Sequence, residues 1–265
     1  MPASSDRIIA NGIGIRYRFD GPADAPVILF SHSLASGLEM WDAQAAAFAG
    51  DYRVLRYDIR GHGGSEVTLA PYGLEVLVAD VHGLLQALGV ERVHFVGLSM
   101  GGMIGQLFAL AHPERLDRLV LCDTASEMPD PEMWAERVRV AEKDGLAALA
   151  APTLARWFTP AFHKTRPDEV ARIRDLILRT PVDGYVGACR AIAGLDATSR
   201  LKAIAAPTLC IVGDRDETTP PAAAEAIRDA IPGAELVLLD HAAHLSNIEQ
   251  ADAFNAALAG FLARG

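Results

Sequence analysis

Short apolar runs, separated by polar and glycine-rich stretches, occur along most of this chain. Runs this short and continuous are typical of parallel strands that are buried on both faces of a sheet. They occupy residues 27–30, 54–58, 94–98, 119–122, 207–213 and 235–239. Ahead of them, residues 13–19 alternate apolar and polar side chains, which indicates a half-exposed strand. Asn11-Gly12 lies between two apolar runs and predicts a hairpin turn.

Segments with helical periodicity separate these predicted strands. Their apolar residues recur with the spacing of one face of an α-helix. They cover residues 38–48, 72–88, 99–112, 220–231 and 248–262. Strands that alternate with helices in this way form a parallel sheet with helices on both faces. Because ligands bind at the carboxyl ends of such strands, polar residues that follow the strands are candidates for one common site.

The stretch 125–195 breaks this alternation. Helical patterns replace the strand-like runs there, at residues 131–142, 145–157, 167–178 and 182–192. We interpret 125–195 as an all-helical cap that covers the strand ends of one discontinuous core, 1–124 and 196–265. The alternative is a helical subdomain with no role beyond packing.

The segment 94–102 combines a strand, a sharp turn and the start of a helix around one hydroxyl group. Its centre is Gly-Leu-Ser-Met-Gly at positions 97–101. A serine in such a turn sits on strained backbone, and glycines are needed where a side chain would collide with neighbouring backbone. The N–H groups of the following helix point toward the serine. We therefore predict Ser99 as a nucleophile.

A nucleophilic serine needs a base that takes its proton and an acid that orients the base. With this motif the acid and then the histidine follow the serine in the chain. Acidic residues that follow a predicted strand are candidates for the acid, namely Asp123, Asp214 and Asp216. The histidines that follow the last predicted strand are candidates for the base, namely His241 and His244.

Composition and charge exclude several classes of partner. The chain has 265 residues, a formal net charge of −10 and 51% hydrophobic residues, which is ample for a core. The negative charge argues against binding to nucleic acid or to anionic membranes, and an acidic substrate would need local cations. Residues 1–6 have neither a basic start nor an apolar segment, so we expect no signal peptide. No run approaches the ~20 apolar residues of a membrane span.

Cysteine and histidine spacing predicts neither disulfides nor a cofactor. We interpret the three cysteines as small buried side chains in a reducing cytoplasm, namely Cys122, Cys189 and Cys210. The chain has no HxxxH, HxH or CxxC spacing, so no metal is expected. No Gly-x-Gly-x-x-Gly follows a strand, and the glycine-rich stretch 61–64 lacks the lysine of a phosphate loop.

Several motifs together resemble the α/β-hydrolase family over the whole chain. They are Phe30-Ser31-His32, Asp58-x-Arg60-Gly61-His62-Gly63-x-Ser65, the Ser99 turn and the region of His244. The resemblance implies the α/β-hydrolase fold, a mostly parallel eight-stranded sheet with helices on both faces and an inserted helical cap. Within the family the chain looks closest to the 3-oxoadipate enol-lactonases. The motifs behind this narrower match include Ser31-His32-Ser33-Leu34, Arg156-Trp157-Phe158-Thr159 and Ser246-Asn247-Ile248-Glu249.

The resemblance also selects among the candidate acids and bases. Residues 213–220 resemble the Gly-x-x-Asp-x-x-x-Pro loop of the family, which makes Asp216 the acid. The family has a Glu or Asp five residues beyond its catalytic histidine, and Glu249 stands at that distance from His244. His244 is therefore the expected base. Asp123 occupies a position that some branches use for the acid, although a cap of a turn or helix is the simpler interpretation.

Two backbone N–H groups are expected to hold the oxyanion. One belongs to Met100, the residue after the nucleophile, and by position the other belongs to Leu34. Ser33 stands where many relatives have glycine. Its hydroxyl either adds a hydrogen bond in the site or caps the following helix.

The enol-lactonase resemblance implies a small-molecule substrate, an unsaturated γ-lactone that carries a carboxymethyl group. A cytoplasmic enzyme of aromatic-compound catabolism, in the β-ketoadipate pathway, would open it through an acyl-enzyme to an oxo-dicarboxylic acid. Substrate-binding candidates are Ser33, Trp134 and Trp157, with the tryptophans as apolar walls or as packing residues of the cap. The cap cations that could meet the substrate carboxylate are Arg137, Arg139, Arg156 and Arg190, of which we select Arg137 and Arg156. A solvated helix face is the alternative for each arginine.

Other functions are compatible with the same motifs. A general carboxylesterase, another lactonase or a perhydrolase would share this fold and these catalytic residues. A non-catalytic ligand-binding protein of the α/β-hydrolase fold is a more remote alternative, since no expected catalytic residue is missing. The oligomeric state stays open, and a homo-oligomer is one alternative.

Overall fold

The computed structural model describes residues 6–128 and 130–264, and its strands form one sheet. The strands are β1 (Asp6–Ala10), β2 (Ile13–Asp20), β3 (Val27–Ser31), β4 (Arg53–Tyr57), β5 (Val93–Leu98), β6 (Leu116–Cys122), β7 (Thr208–Gly213) and β8 (Glu235–Leu239). Their order is β1-β2-β4-β3-β5-β6-β7-β8, with β2 antiparallel to β1 and β4 and the other neighbours parallel. The expectation about a signal peptide concerns mainly residues 1–5, which lie outside the described residues.

Helices cover both faces of the sheet, and the predicted fold class is confirmed. The helices are α1 (Asp42–Phe48), α2 (Leu74–Ala87), α3 (Met100–Ala111), α4 (Pro131–Asp144), α5 (Leu146–Trp157), α6 (Pro160–Thr165), α7 (Pro167–Arg179), α8 (Val182–Ala193), α9 (Pro221–Ala230), α10 (Ser246–Glu249) and α11 (Ala251–Leu262). Successive side chains of a strand point to opposite faces of the sheet. Because residues 119–122 of β6 are all buried, both faces of the sheet are covered at this strand.

Within the two described ranges, no helix is long and apolar enough to cross a membrane.

The boundaries of several elements differ from the sequence predictions. Helix α2 begins at Leu74, not at residue 72, because Gly73 has extended backbone dihedral angles. The predicted helix 248–262 is two helices, since the backbone of Gln250 leaves the helical region between α10 and α11. A 3₁₀ turn, Leu38–Trp41, precedes α1. Each difference follows from one or two backbone angles that hydrophobic periodicity does not report.

The helical insertion lies between β6 and β7 and contains α4 to α8. Its two ends meet, because Glu127 and Asp196 form an antiparallel bridge and the Ala197 N–H donates to the Ser126 carbonyl at 2.8 Å. Helix α6 was not predicted, since it has only six residues. It begins where the Thr159 hydroxyl accepts from the Phe162 N–H. The division into core and cap at residues 125 and 195 stays a prediction.

The turn between β5 and α3 places Ser99 in a conformation that few non-glycine residues adopt. Ser99 has φ 54° and ψ −116°. A Cβ on Gly97 would lie 2.2 Å from the Gly101 carbonyl oxygen, and a Cβ on Gly101 would lie 2.1 Å from the Ser31 carbonyl oxygen. The two glycines therefore let α3 start directly against β3 and β5, as the sequence motif predicted.

Replacement of Gly101 by alanine tests this close approach. We expect Gly101→Ala to lower the free energy of unfolding by about 3 kcal/mol or more, because the backbone of β3 cannot move away from the added methyl group. Urea titration measures the effect. The matched control is Gly260→Ala in α11, where a Cβ meets nothing within 4 Å, and about 0.5–1 kcal/mol of added stability is expected. Equal stability of the two variants would contradict the packing argument.

Candidate active site

Residues from seven separate segments meet in one small cavity at the carboxyl edge of the sheet. The cavity has a volume of about 100 Å³. The predicted site residues that line it are Ser33, Leu34, Ser99, Trp134, Arg137, Arg156, Trp157 and His244. Its volume is well below the roughly 300–1,000 Å³ of pockets for drug-sized ligands, so it suits a small substrate.

Asp216 and His244 form a buried pair. Asp216 Oδ2 lies 2.9 Å from His244 Nδ1, and the two residues are 3% and 1% exposed. A carboxylate can only accept in this hydrogen bond, so Nδ1 carries the proton and Nε2 is left as a base. Burial raises the pKa of Asp216, but attraction to His244 and hydrogen bonds to the carboxylate outweigh it, and the pKa is lowered overall.

Thr219 also holds the Asp216 carboxylate, and sequence reasoning missed it. Its hydroxyl donates to Oδ2 at 2.8 Å and its backbone N–H donates to Oδ1 at 3.0 Å. The Thr218 N–H also donates to Oδ1, at 2.7 Å. The position of Thr219 just before Pro220 and a helix was the available signal, since hydroxyl residues and backbone N–H groups cluster at helix starts.

Ser99 lines the same cavity as His244 and is 8% exposed. Its N–H donates to the Cys122 carbonyl at 2.9 Å, and its carbonyl accepts from the Thr124 hydroxyl at 2.7 Å. Among the described residues no hydrogen bond joins the Ser99 hydroxyl to His244. Catalytic hydrogen bonds of this kind tighten when a substrate fills the site.

The two predicted oxyanion donors lie in the same part of the site. Leu34 follows β3 and Met100 is the first residue of α3, and both are buried. Neither N–H donates to an acceptor within the described residues. The Met100 N–H also lies at the positive end of the α3 helix dipole. Both groups are therefore available to an oxygen atom in the cavity.

Two buried histidines fix the loop that carries Leu34. The Ile59 N–H donates to His32 Nε2 at 2.8 Å, and the Ala35 N–H donates to His62 Nε2 at 3.0 Å. The Nδ1 atoms face the carbonyls of Ser33 and Arg60, respectively. Burial lowers the pKa of His32 to about 4, and burial and His32 lower the pKa of His62 to about 3. Both rings are therefore neutral cross-links between the loops after β3 and β4.

Ser33 does not cap a helix. The 3₁₀ turn after β3 begins at Leu38, where no side chain makes a capping bond. Ser33 is one of the residues that line the cavity, and its hydroxyl has no hydrogen-bond partner in 6–128 or 130–264. The interpretation of Ser33 as a helix cap is therefore wrong.

The cap arginines separate into two groups. Arg139 on α4 forms ion pairs with Glu132 and Glu136. Arg190 on α8 forms an ion pair with Glu142, so both arginines are paired with carboxylates at the protein surface. Arg137 and Arg156 line the Ser99 cavity, and within the described ranges neither forms an ion pair. Burial and the nearby Arg137 lower the pKa of Arg156, as expected for two neighbouring guanidinium groups.

Arg137 is held in place by residues that the sequence did not single out. Its Nε donates to the Tyr185 hydroxyl at 2.9 Å, and its guanidinium carbon lies 5.6 Å from the centre of the Trp134 ring. Burial raises the pKa of Tyr185, which keeps its hydroxyl neutral. The ring of Trp157, which also lines the cavity, lies 6.2 Å from the ring of His244. Both tryptophans thus contact charged or catalytic candidates.

Two carboxylates, one half-buried and one fully buried, connect the His244 loop to its surroundings. Glu249 accepts from the Ala243 N–H at 2.9 Å and from the Thr159 N–H and hydroxyl, which ties the loop to the cap. Asp123 accepts from the Gly213 N–H and from the Ser246 hydroxyl. Asp123 is therefore neither a helix cap nor the partner of His244, and it joins the ends of β6 and β7 to α10.

The remaining candidates lie outside the cavity. Asp214 accepts from the Ala242 N–H at 3.2 Å and pairs with Arg215, as expected for the acid that does not orient the base. His241 is exposed at a turn with φ 58°. It lines a larger cleft of about 640 Å³ that shares Arg156 and Glu217 with the cavity. In the part of the chain that the structure describes, no cluster of three metal-ligating side chains occurs.

A strand-end serine, a buried acid–histidine pair and two free N–H donors are the features of an enzyme that hydrolyses carboxylic esters. A family profile described as alpha/beta hydrolase fold matches residues 26–251. The chain belongs to the α/β-hydrolase family, and it is an ester-hydrolysing enzyme.

Known relatives include lactonases and esterases. 3-Oxoadipate enol-lactonase 2 of Acinetobacter baylyi is 35% identical over 98% of this chain and 97% of that protein. The crystal structure of an enol-lactonase from Burkholderia xenovorans superimposes with a TM-score of 0.95 at 42% identity, covering 97% of this chain and 99% of the other. A thermophilic esterase from Thermogutta terrifontis has a TM-score of 0.91 at 31% identity, with 98% of both chains covered.

Acid titration tests the two neutral histidines. An unfolded histidine takes up a proton below a pKa of about 6.5, whereas the folded His32 and His62 do so only near pH 4 and pH 3. Each neutral ring therefore makes its full contribution to folding stability above pH 6.5. The free energy of unfolding falls by about 1.4 kcal/mol per ring for each pH unit between 6.5 and the pKa of the folded ring. Urea unfolding between pH 7.5 and 4.5 measures how the free energy of unfolding depends on pH. In His62→Gln this slope should be smaller below pH 6.5 by about 1.4 kcal/mol per pH unit, the contribution of one histidine. An unchanged slope in the variant would contradict the assignment.

Proposed function

We propose that this enzyme hydrolyses a small, carboxylated enol-lactone of the 3-oxoadipate enol-lactone type. The product is an oxo-dicarboxylic acid, and the reaction passes through an acyl-enzyme on Ser99. The names of the enol-lactonase relatives and the small volume of the cavity support the proposal. The proposal includes the β-ketoadipate pathway and a cytoplasmic location, which the described cysteines, all buried as free thiols, support.

The charge of the cavity carries the proposal. Arg137 and Arg156 line it without an ion-pair partner among the described residues, and the exposed Glu217 lines it as well. Arg156 Nε and Trp134 Nε1 are buried donors with no acceptor in the same ranges. Buried donors without partners cost free energy, and two guanidinium groups repel each other. A substrate carboxylate removes both costs, whereas a neutral ester offers acceptors for the donors but no negative charge against the repulsion.

The reaction begins when His244 Nε2 takes the proton of the Ser99 hydroxyl as its oxygen attacks the lactone carbonyl. Asp216 keeps the ring in the correct tautomer and stabilises the imidazolium. The N–H groups of Met100 and Leu34 hold the oxyanion. The bond between the carbonyl carbon and the ring oxygen then breaks.

The leaving group is an enol, which leaves more easily than an alkoxide and receives the proton from His244. It remains tethered to the acyl group on Ser99 and tautomerises to a ketone. Water, activated by His244, then attacks the acyl-enzyme and releases the oxo-acid. Trp134 and Trp157 form apolar walls around the ring in this arrangement.

A carboxylesterase for neutral esters is the second candidate. The similarity to the Thermogutta esterase favours it, since the same catalytic residues serve any acyl group. The alternatives differ in one measurable property, namely whether a negative charge on the substrate increases the rate.

Ser99→Ala tests the nucleophile. We expect kcat/KM to fall by at least ~10³-fold, because the serine and its partners act as one unit. Hydrolysis of a carboxylated enol-lactone, followed by loss of its ultraviolet absorbance, measures the rate. A fluorophosphonate probe should label the wild-type protein at Ser99 and leave the variant unlabelled. Absence of label on the wild-type protein would favour a non-catalytic binding protein.

Arg156→Met tests the charge of the cavity. For the carboxylated enol-lactone we expect KM to rise about 10–100-fold, the worth of a charge-assisted hydrogen bond. The comparison substrate is the same unsaturated γ-lactone with a methyl group in place of carboxymethyl, whose kcat/KM should change little. The matched control is Arg139→Met on the cap surface, which should affect neither substrate. A wild-type preference for the methyl-substituted lactone would overturn the proposal that the enzyme selects a carboxylated substrate.

A further inference from the structure

The Ser33 hydroxyl is a buried polar group that the reaction described above leaves unused. Ser33 is 1% exposed, and its Oγ has no hydrogen-bond partner among the described residues. Burial of a hydroxyl without a partner is unfavourable, and native proteins keep few such groups. Because Ser33 lines the same cavity as Ser99 and His244, a ligand atom can supply the missing partner.

The backbone around Ser33 is held rigidly while its hydroxyl is left free. The Ser33 N–H donates to Met40 Sδ at 3.3 Å. The Ser33 carbonyl accepts from the Ser36 hydroxyl at 2.8 Å and lies 2.7 Å from His32 Nδ1. The next hydrogen bond along the chain, from the Ala35 N–H to His62, fixes the far side. A donor that is fixed before the substrate arrives is what stabilisation of a developing charge requires.

The position of Ser33 in the chain determines which ligand atom its hydroxyl can reach. The Leu34 N–H, one of the two proposed oxyanion donors, belongs to the peptide unit that joins Ser33 to Leu34. Oγ and this N–H are therefore close neighbours on one short stretch of backbone, and both residues line the cavity. The atom nearest to both is the oxygen that the Leu34 N–H binds.

We infer that the Ser33 hydroxyl is a third donor of the oxyanion hole, beside the N–H groups of Leu34 and Met100. It donates to the carbonyl oxygen of the substrate as that oxygen becomes negative. No proton is transferred in this step, since the hydroxyl keeps its hydrogen. The inference rests on the proposed serine mechanism but not on the identity of the lactone, because every acyl substrate forms the same oxyanion.

The test compares Ser33→Ala with wild type on two unlike substrates, a carboxylated enol-lactone and p-nitrophenyl acetate. We expect kcat to fall about 10–100-fold on both, with KM nearly unchanged, since loss of one of three donors weakens only the transition state. Ser33→Gly, which places the residue of many relatives at this position, is a second hydroxyl-free variant with the same expected loss. The control is Ser126→Ala, a buried serine that does not line the cavity and whose hydroxyl bonds to Thr198; it should lower the melting temperature and leave kcat nearly unchanged.

Phenylboronic acid supplies a readout that does not depend on turnover. It forms a tetrahedral adduct with an active serine, with a boron-bound oxygen in the oxyanion position. The inhibition constant should rise at least about 10-fold in both hydroxyl-free variants. A wild-type enzyme that phenylboronic acid does not inhibit would overturn the serine mechanism itself. Inhibition that is equal in wild type and variants, or a rise in KM for the lactone alone, would overturn only the role of Ser33.

Discussion

The backbone of Ser99 is the constraint on which the site depends. Its φ of 54° and ψ of −116° lie in a sparsely populated region that costs on the order of 1–3 kcal/mol. Two features hold it there: the close approach of glycine backbone at 97 and 101, and the hydrogen bonds of the Ser99 backbone to the Cys122 carbonyl and the Thr124 hydroxyl. Because the turn is this sharp, the serine and the first N–H of α3 both face the strand ends.

Buried polar cross-links, rather than apolar packing, arrange the loops around that serine. His32 and His62 join the loop of Leu34 to the loop after β4, and Asp123 joins β7 to the His244 loop. Glu249 ties the same loop to the cap. Each of these bonds is buried at least in part, where directional bonds are strong and an unpaired partner is costly. The loops therefore have few alternative positions, which suits groups that must be aligned within a fraction of an ångström.

The sequence was sufficient for the core because core positions obey simple periodicities. Continuous apolar runs predicted β3 to β8, and the Gly-x-Ser-x-Gly turn predicted Ser99. The choice of Asp216 and His244 needed family spacing, since Asp214 and His241 follow the same strands. The cap was less predictable, because its helices carry arginines on several faces and periodicity does not tell which face turns inward. Arg137 and Arg139 are two residues apart on α4, yet one lines the cavity and the other pairs with surface carboxylates. Tyr185 acts on Arg137 through a single hydrogen bond, which leaves no pattern in the chain, and the only signal for Thr219 was its position before Pro220 and a helix.

The cap and the strand edge contribute differently to the proposed reaction. A substrate carboxylate between Arg137 and Arg156 keeps its charge throughout, so its attraction lowers the free energy of the bound substrate and of the transition state alike. Such binding affects KM and orients the ring over Ser99. The oxyanion exists only after attack has begun, so donors directed at it lower the barrier itself. The net charge of −10 does not prevent this arrangement, because charges farther away than a Debye length of about 8 Å are largely screened whereas guanidinium groups inside a cavity are not. An acidic protein can thus bind an acidic substrate with two local cations and reserve its backbone N–H groups for the reacting carbonyl.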